Sequence, residues 1–177
     1  ETAAGRCNQF TFAQLKELSN RFANALRSMG VTVGDRVAIV LPQRVETGLC
    51  HLAAWKLGAI SLPLSILFGP DALRYRLEDS GARVVIAAGA ALDRVHALMP
   101  DLPGLERVID CDDQRDGFWP LLEKGSAGLE LIHTQSDDPA LIIYTSGTTG
   151  PPKGAVVAHR CLLGNLTGFE MSQNFFP

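Results

Sequence analysis

A chain of 177 residues, 46% apolar and 20% charged, has the composition of a packed globular protein and the length of one domain or one large piece of a domain. The net charge of −3, with no Lys/Arg stripe interleaved with aromatics, excludes a broad positive field for nucleic-acid phosphates. Apolar runs such as 82–91 are broken by Arg or Gly well short of the roughly 18 residues that a membrane span needs, so the chain reads as soluble.

Thr11, followed three residues later by Gln14, has the form of a capping box. Phe12, Leu15, Leu18, Phe22, Leu26 and Met29 then recur at helical spacing up to Gly30, which predicts an amphipathic helix whose apolar stripe is core. Residues 36–41 form a short apolar run ended by Pro42, a helical stretch follows over 45–57 up to Gly58, and 59–64 is the next strand. Asp71 is placed to cap a helix reaching Ser80, Gly81 stops it, and 84–87 is another buried-type strand. A helix over 91–98, a strand over 108–110 and a helical turn over 119–124 continue the alternation. Strands alternating with helices predict an α/β fold with a doubly wound, largely parallel twisted sheet and crossover helices, because parallel strands need crossovers to reconnect them. Near the end, the apolar runs 140–144 and 155–158 flank one loop of small residues. Leu162, Leu163, Leu166 and Phe169 then have helical spacing, and the chain stops at Phe175-Phe176-Pro177 with no closing element.

Cys7, Cys50, Cys111 and Cys161 are scattered, without a CxxC pair or zinc-type spacing, and are read as reduced structural thiols of a cytoplasmic protein. The acceptor pattern Asn165-Leu166-Thr167 lacks a secretory context and is discounted. The sequence opens at Glu1 with neither an initiator Met nor a signal segment, as an excerpt or a processed chain would.

The chemistry is concentrated in residues 145–154, Thr-Ser-Gly-Thr-Thr-Gly-Pro-Pro-Lys-Gly. Glycines let backbone N–H groups come close to a ligand, while hydroxyls and one lysine supply further donors, a set suited to a polyphosphate. The competing reading is a plain hairpin connection, since loops use these residue types anyway. However, four hydroxyls, three glycines and a lysine in ten positions exceed what a turn requires. A P-loop of the NTPase type does not fit: Lys153 sits between Pro152 and Gly154, no Ser or Thr follows it to hold magnesium, and a strand rather than a helix comes next.

The segment YTSGTTGPPKG, residues 144–154, resembles the signature loop of the adenylate-forming (AMP-binding) superfamily, which includes acyl-CoA synthetases, luciferases and peptide-synthetase adenylation domains. FTFAQLKELSNRFANALRSMGVTVGDRVAIVLP is similar to that family's opening helix and first strand, and AAWKLGAISLPLSILFGPDALRYRLEDSGARVVI to the segment that follows. The resemblance implies that residues 1–177 are the N-terminal portion of the large adenylation domain. It implies an acyl-CoA synthetase acting in two steps: a carboxylate attacks the α-phosphate of ATP, and the thiol of coenzyme A then displaces AMP from the acyl adenylate. ATP with Mg2+ and coenzyme A are the implied cofactors and co-substrates, and a small carboxylic acid is the implied partner. Thr145, Ser146, Thr148 and Thr149 would hold the β- and γ-phosphates through hydroxyls, Gly147 and Gly150 through backbone, and Lys153 as a point charge.

The family's later motifs, an aromatic-Thr-Glu segment, a ribose-binding Asp and a catalytic Lys on a mobile C-terminal domain, do not lie in these residues. No catalytic residue is therefore assigned, and the 177 residues alone are expected to be inactive. The tail HRCLLGNLTGFEMSQNFF is similar to ligases for medium-chain or aromatic acids. The alternative to an enzyme is a non-catalytic nucleotide-binding or scaffolding module that keeps the phosphate loop.

Weaker signals have plainer readings. Asp112, Gln114, Asp116, Gly117 and Glu123 approximate a calcium loop, but Gln114 replaces an acidic ligand, a strand precedes and Pro120 intrudes, so a solvated acidic loop is the default. His159 beside Arg160 is read as structural, His51, His96 and His133 share no ligand spacing, and Trp55 and Trp119 occupy core-compatible positions. Ser146 is not in a GxSxG elbow, which disfavours a hydrolase nucleophile.

Overall fold

The computed structural model describes residues 9–146, 150–165, 168 and 172. Its central sheet has six strands: β1 (Arg36–Val40), β2 (Ile60–Pro63), β3 (Ala82–Ala87), β4 (Arg107–Asp110), β5 (Pro139–Thr145) and β6 (Lys153–Ala158), in the order β4-β3-β1-β2-β5-β6. The first five are parallel, and β6 returns antiparallel along β5. The helices are α1 (Phe12–Ser28), α2 (Val45–Lys56), α3 (Pro70–Ser80), α4 (Gly89–Leu98), α5 (Phe118–Lys124) and α6 (His159–Gly164).

Strand alternation sends Val37 and Ile39 to one face of the sheet and Ala38 and Val40 to the other. On the first face they join Phe22 and Leu26 of α1, Leu49 of α2, and Phe118 and Leu122 of α5. On the second they join Leu73 and Leu77 of α3 and Val95 of α4. Both faces are covered, so the central strands are nearly continuous in apolar residues, as expected of a parallel sheet. The predicted doubly wound α/β architecture is the one observed.

Local details confirm some expectations and correct others. The capping box is present: the Gln14 amide donates to Thr11 Oγ1 at 3.2 Å, and the Thr11 amide donates to Gln14 Oε1 at 2.8 Å. Phe12, expected in the core stripe, is 92% exposed, because the first turn of α1 projects past the layer that begins at Leu15. Asp71 does not cap α3; Gly69 does, with Pro70 opening the helix at the position where a missing N–H is harmless. α4 begins at Gly89 rather than Ala91.

A segment with no predicted structure, 125–130, is tied across α1. Arg21 Nη1 donates to the Gly125 carbonyl (2.8 Å), Asn20 to that of Ala127 (2.9 Å), Asn24 to those of Ser126 and Gly128 (both 2.8 Å), and Arg27 to that of Glu130 (2.7 Å). These side chains satisfy carbonyls that no strand or helix partner reaches.

Cys50 and Cys111 are buried free thiols, both pushed up by burial, Cys111 to about 12; Cys161 is exposed on α6, contrary to a structural role, and Cys7 lies outside the described residues. So do Leu166, Thr167, Phe169 and the terminal Phe175-Phe176-Pro177. Among the described residues no helix is long and apolar enough to cross a membrane.

Candidate phosphate-binding loop

β5 is parallel to β2, so its C-terminal end lies on the carboxyl edge of the parallel strands, where α/β sheets bind ligands. The regular pairing of the hairpin runs to its mouth: Tyr144 pairs with Gly154 and Thr145 with Lys153. The predicted loop residues thus divide. Thr145 and Lys153 face each other at the mouth, Ser146 follows on one side, and Gly150 lies on the other with φ of +101°, a backbone that suits glycine. Gly147, Thr148 and Thr149 lie outside the described residues. Thr145, Ser146, Gly150 and Lys153 are all exposed, so their hydroxyls, backbone and ammonium face solvent rather than the core.

Gly154 has a different task from the other glycines. A Cβ there would come within 3.0 Å of Ile142 Cγ2 and 3.3 Å of the Tyr144 ring, so it is glycine because the Tyr144 ring lies across it. Tyr144 points to the α3 face, where its hydroxyl donates to Asp79 Oδ2 at 2.5 Å. Burial first, and then the Asp79 carboxylate, push the phenol well above its ordinary range. On the other side of the loop the Tyr75 hydroxyl donates to the Pro152 carbonyl at 3.0 Å. Arg76 is a buried residue, and its guanidinium carbon sits 4.1 Å from the Phe68 ring centre and 5.5 Å from that of Tyr144. None of these α3 residues was singled out from the sequence.

A second feature on the same edge was also missed. β1 leads to a helix on one face and β3 to a helix on the other, which opens a crevice where the strand order reverses. A cavity of about 280 Å³ lies there, lined by Arg44, Arg94, Asp112, Ile66 and the turn at Ala88-Gly89. Arg44 is fixed by two hydrogen bonds to the buried Glu46 carboxylate (2.7 and 2.9 Å) and one to Asp112 (2.8 Å); Trp119 Nε1 donates to Glu46 as well (2.9 Å). Arg94 Nη2 donates to the Ile66 carbonyl at 2.6 Å.

The calcium-like loop holds its carboxylates otherwise. Asp112 pairs with Arg44, Asp113 accepts from the Arg115 amide, and Asp116 pairs with Lys124. Gly117 stands where a Cβ would come within 2.3 Å of the Asp110 carbonyl, a packing reason for that glycine. His159 opens α6, its Nε2 shielded from solvent with no partner among the described residues. Trp55 and Trp119 are half-buried, and each uses its indole N–H: Trp55 donates to the Ala140 carbonyl at 2.8 Å, tying α2 to the start of β5.

The profile of the AMP-binding enzymes matches residues 1–177, and the chain belongs to that family. It is 35% identical over 153 residues to the long-chain-fatty-acid–CoA ligase FadD13 of Mycobacterium tuberculosis, covering 85% of this chain and 30% of that protein. It is 36% identical over 173 residues to the acetyl-coenzyme A synthetase of Streptomyces coelicolor, covering 87% and 27%. The crystal structure of the anthranilate CoA ligase AuaEII in complex with anthranoyl-AMP superposes with a TM-score of 0.83 at 28% identity, covering 89% of this chain and 30% of that one. The chain therefore spans about 30% of the length of the relatives it matches.

Proposed function

We propose that this chain is the N-terminal, phosphate-binding portion of an ATP-dependent carboxylic acid:CoA ligase. The observation that carries the reading is the hairpin mouth, where Thr145 and Lys153 are paired and Ser146 and Gly150 follow on either side, all exposed at the carboxyl edge of the sheet. The names of its relatives as acyl- and acetyl-CoA ligases support the reaction class.

In this reading a carboxylate oxygen attacks the α-phosphorus of ATP and pyrophosphate departs. The thiol of coenzyme A then attacks the acyl carbonyl and AMP leaves. Lys153 and the hydroxyls of Thr145 and Ser146 stabilise the charge that gathers on the departing pyrophosphate, with Gly147, Thr148, Thr149 and Gly150 completing the cradle. Mg2+ belongs to the same proposal as the partner of the ATP phosphates, where it would neutralise part of their charge; among the described residues there is no group of three His, Cys, Asp or Glu side chains that could hold a metal ion. A medium-chain or aromatic acid as substrate, with cytoplasmic residence, belongs to the same proposal. The tail resemblance and the anthranilate ligase among the structural relatives support the aromatic choice.

Calorimetric titration with Mg-ATP and with pyrophosphate, beside a Lys153→Ala variant, tests the loop. Removing one charge-assisted contact of about 1.5–3 kcal/mol should weaken binding roughly 10- to 100-fold. Equal affinity in the two proteins would remove Lys153 from the phosphate site. A second expectation concerns catalysis: the 177 residues alone, given ATP, magnesium and carboxylic acids, form no acyl adenylate. Accumulation of acyl-AMP in that assay would place the missing catalytic groups within this chain.

A further inference from the structure

We propose that α3 is the clamp that sets the phosphate loop, with Tyr75 and Asp79 as positioning residues for its two ends. The inference rests on the phosphate-binding reading of 145–153. Tyr75 and Asp79 are four apart on α3 and so share one helix face. Tyr75 holds the carbonyl of Pro152, the residue before Lys153, and Asp79 holds the hydroxyl of Tyr144, the residue before Thr145. The two side chains of one helix thereby fix both the entry and the exit of the loop.

The clamp has a rigid base. Leu73 and Leu77 of the same helix are buried in the core beneath the sheet, at 0% and 2% exposure. Arg76 stacks between Phe68 and Tyr144, and the Tyr75 and Tyr144 rings meet edge-on with centroids 6.3 Å apart. Gly154 leaves the space that the outer end of the Tyr144 ring needs in order to reach α3. Loop donors stabilise a polyphosphate only to the extent that they are held in place before it arrives, because otherwise binding must also order the loop. An anchor at each end lowers that cost where the loop begins and ends, without touching the ligand.

Mg-ATP and pyrophosphate affinities of the full-length protein test the clamp, measured for wild type, Tyr75→Phe, Asp79→Ala, Asp79→Asn and Lys153→Ala, with the thermal midpoint of each. Tyr75→Phe keeps the ring contacts and loses only the hydrogen bond to Pro152, so it should weaken both ligands about three- to tenfold while leaving the midpoint in place. Asp79→Ala should do the same, and Asp79→Asn, which still offers Tyr144 an acceptor, should restore affinity to within about twofold. Wild-type affinity in Tyr75→Phe beside weakened binding in Lys153→Ala would overturn the clamp and leave the loop reading standing. Unchanged affinity in all variants, Lys153→Ala included, would overturn both. Weakened binding in Tyr75→Phe that tracks a fall in the thermal midpoint would assign Tyr75 to the fold and overturn the positioning role.

Discussion

Phe22→Ala is expected to destabilise the protein by about 3–5 kcal/mol, the range for deleting a fully buried aromatic ring from a packed core. Phe22 is fully buried on α1, and its ring lies 4.4 Å from that of Phe118 on α5, the closest aromatic pair among the described residues. The two rings close the first face of the sheet over Ile39, Ile86 and Ile109. Truncation removes the transfer free energy of the ring and leaves a void that α1 cannot close, because the 125–130 segment is hydrogen-bonded across its outer side. Phe22→Leu, which refills part of the space, should lose roughly half as much. Urea unfolding followed by far-UV circular dichroism would measure both, and a loss below about 1 kcal/mol in Phe22→Ala would mean that this layer relaxes instead of being close-packed.

Most of the fold was legible because its signals are local. Val37, Ala38, Ile39 and Val40 of β1 are all buried, and a strand covered on both faces announces itself as an unbroken apolar run. Thr11 and Gln14 cap α1 across three residues, within reach of any short window of sequence. The loop was likewise visible, its hydroxyls, glycines and lysine being contiguous. Helical spacing could not say where the core ends, and so it claimed Phe12, which continues the stripe beyond the layer it faces. It also favoured Asp71 as a cap by residue type, when Pro70 at the first helical position moves the cap to Gly69. The supports of the candidate site were illegible for a different reason. Tyr75 meets Pro152 across 77 positions, Tyr144 meets Asp79 across 65, and Trp119 meets Glu46 across 73. A tyrosine on a helix carries no local mark of the distant carbonyl it will hold. The tertiary fold creates those pairs, by bringing α3 beside the β5–β6 hairpin for the first two and α5 beside α2 for the third.

Glu46→Ala should destabilise the protein by about 3 kcal/mol, the lower end for breaking a buried ion pair, since the Arg44 side chain it leaves behind keeps 28% exposure. The Glu46 side chain is 7% exposed and accepts from Arg44 twice and from Trp119 once, so its removal strands an indole N–H and takes two of the three hydrogen bonds of the Arg44 guanidinium. Glu46→Gln keeps an acceptor for Trp119 and should lose less. The pH dependence separates charge from packing. Burial alone would raise the Glu46 pKa, but hydrogen bonds from Arg44, its own backbone and Trp119 outweigh it and hold the carboxyl below the ordinary 4.5. A group whose folded pKa is depressed contributes stability that is complete above its unfolded pKa and is lost as pH falls through the folded one. Wild-type stability should therefore decline below about pH 4.5 more steeply than that of Glu46→Gln, the two curves converging in acid. Parallel curves would show that the carboxylate is held there by packing and not by its charge. Because Arg44 lines the crevice at the reversal of strand order, the same substitution should also free that guanidinium from its fixed position at the carboxyl edge. The ion pair thus couples the packing of α5 against the sheet to the placement of a cation beside the candidate site.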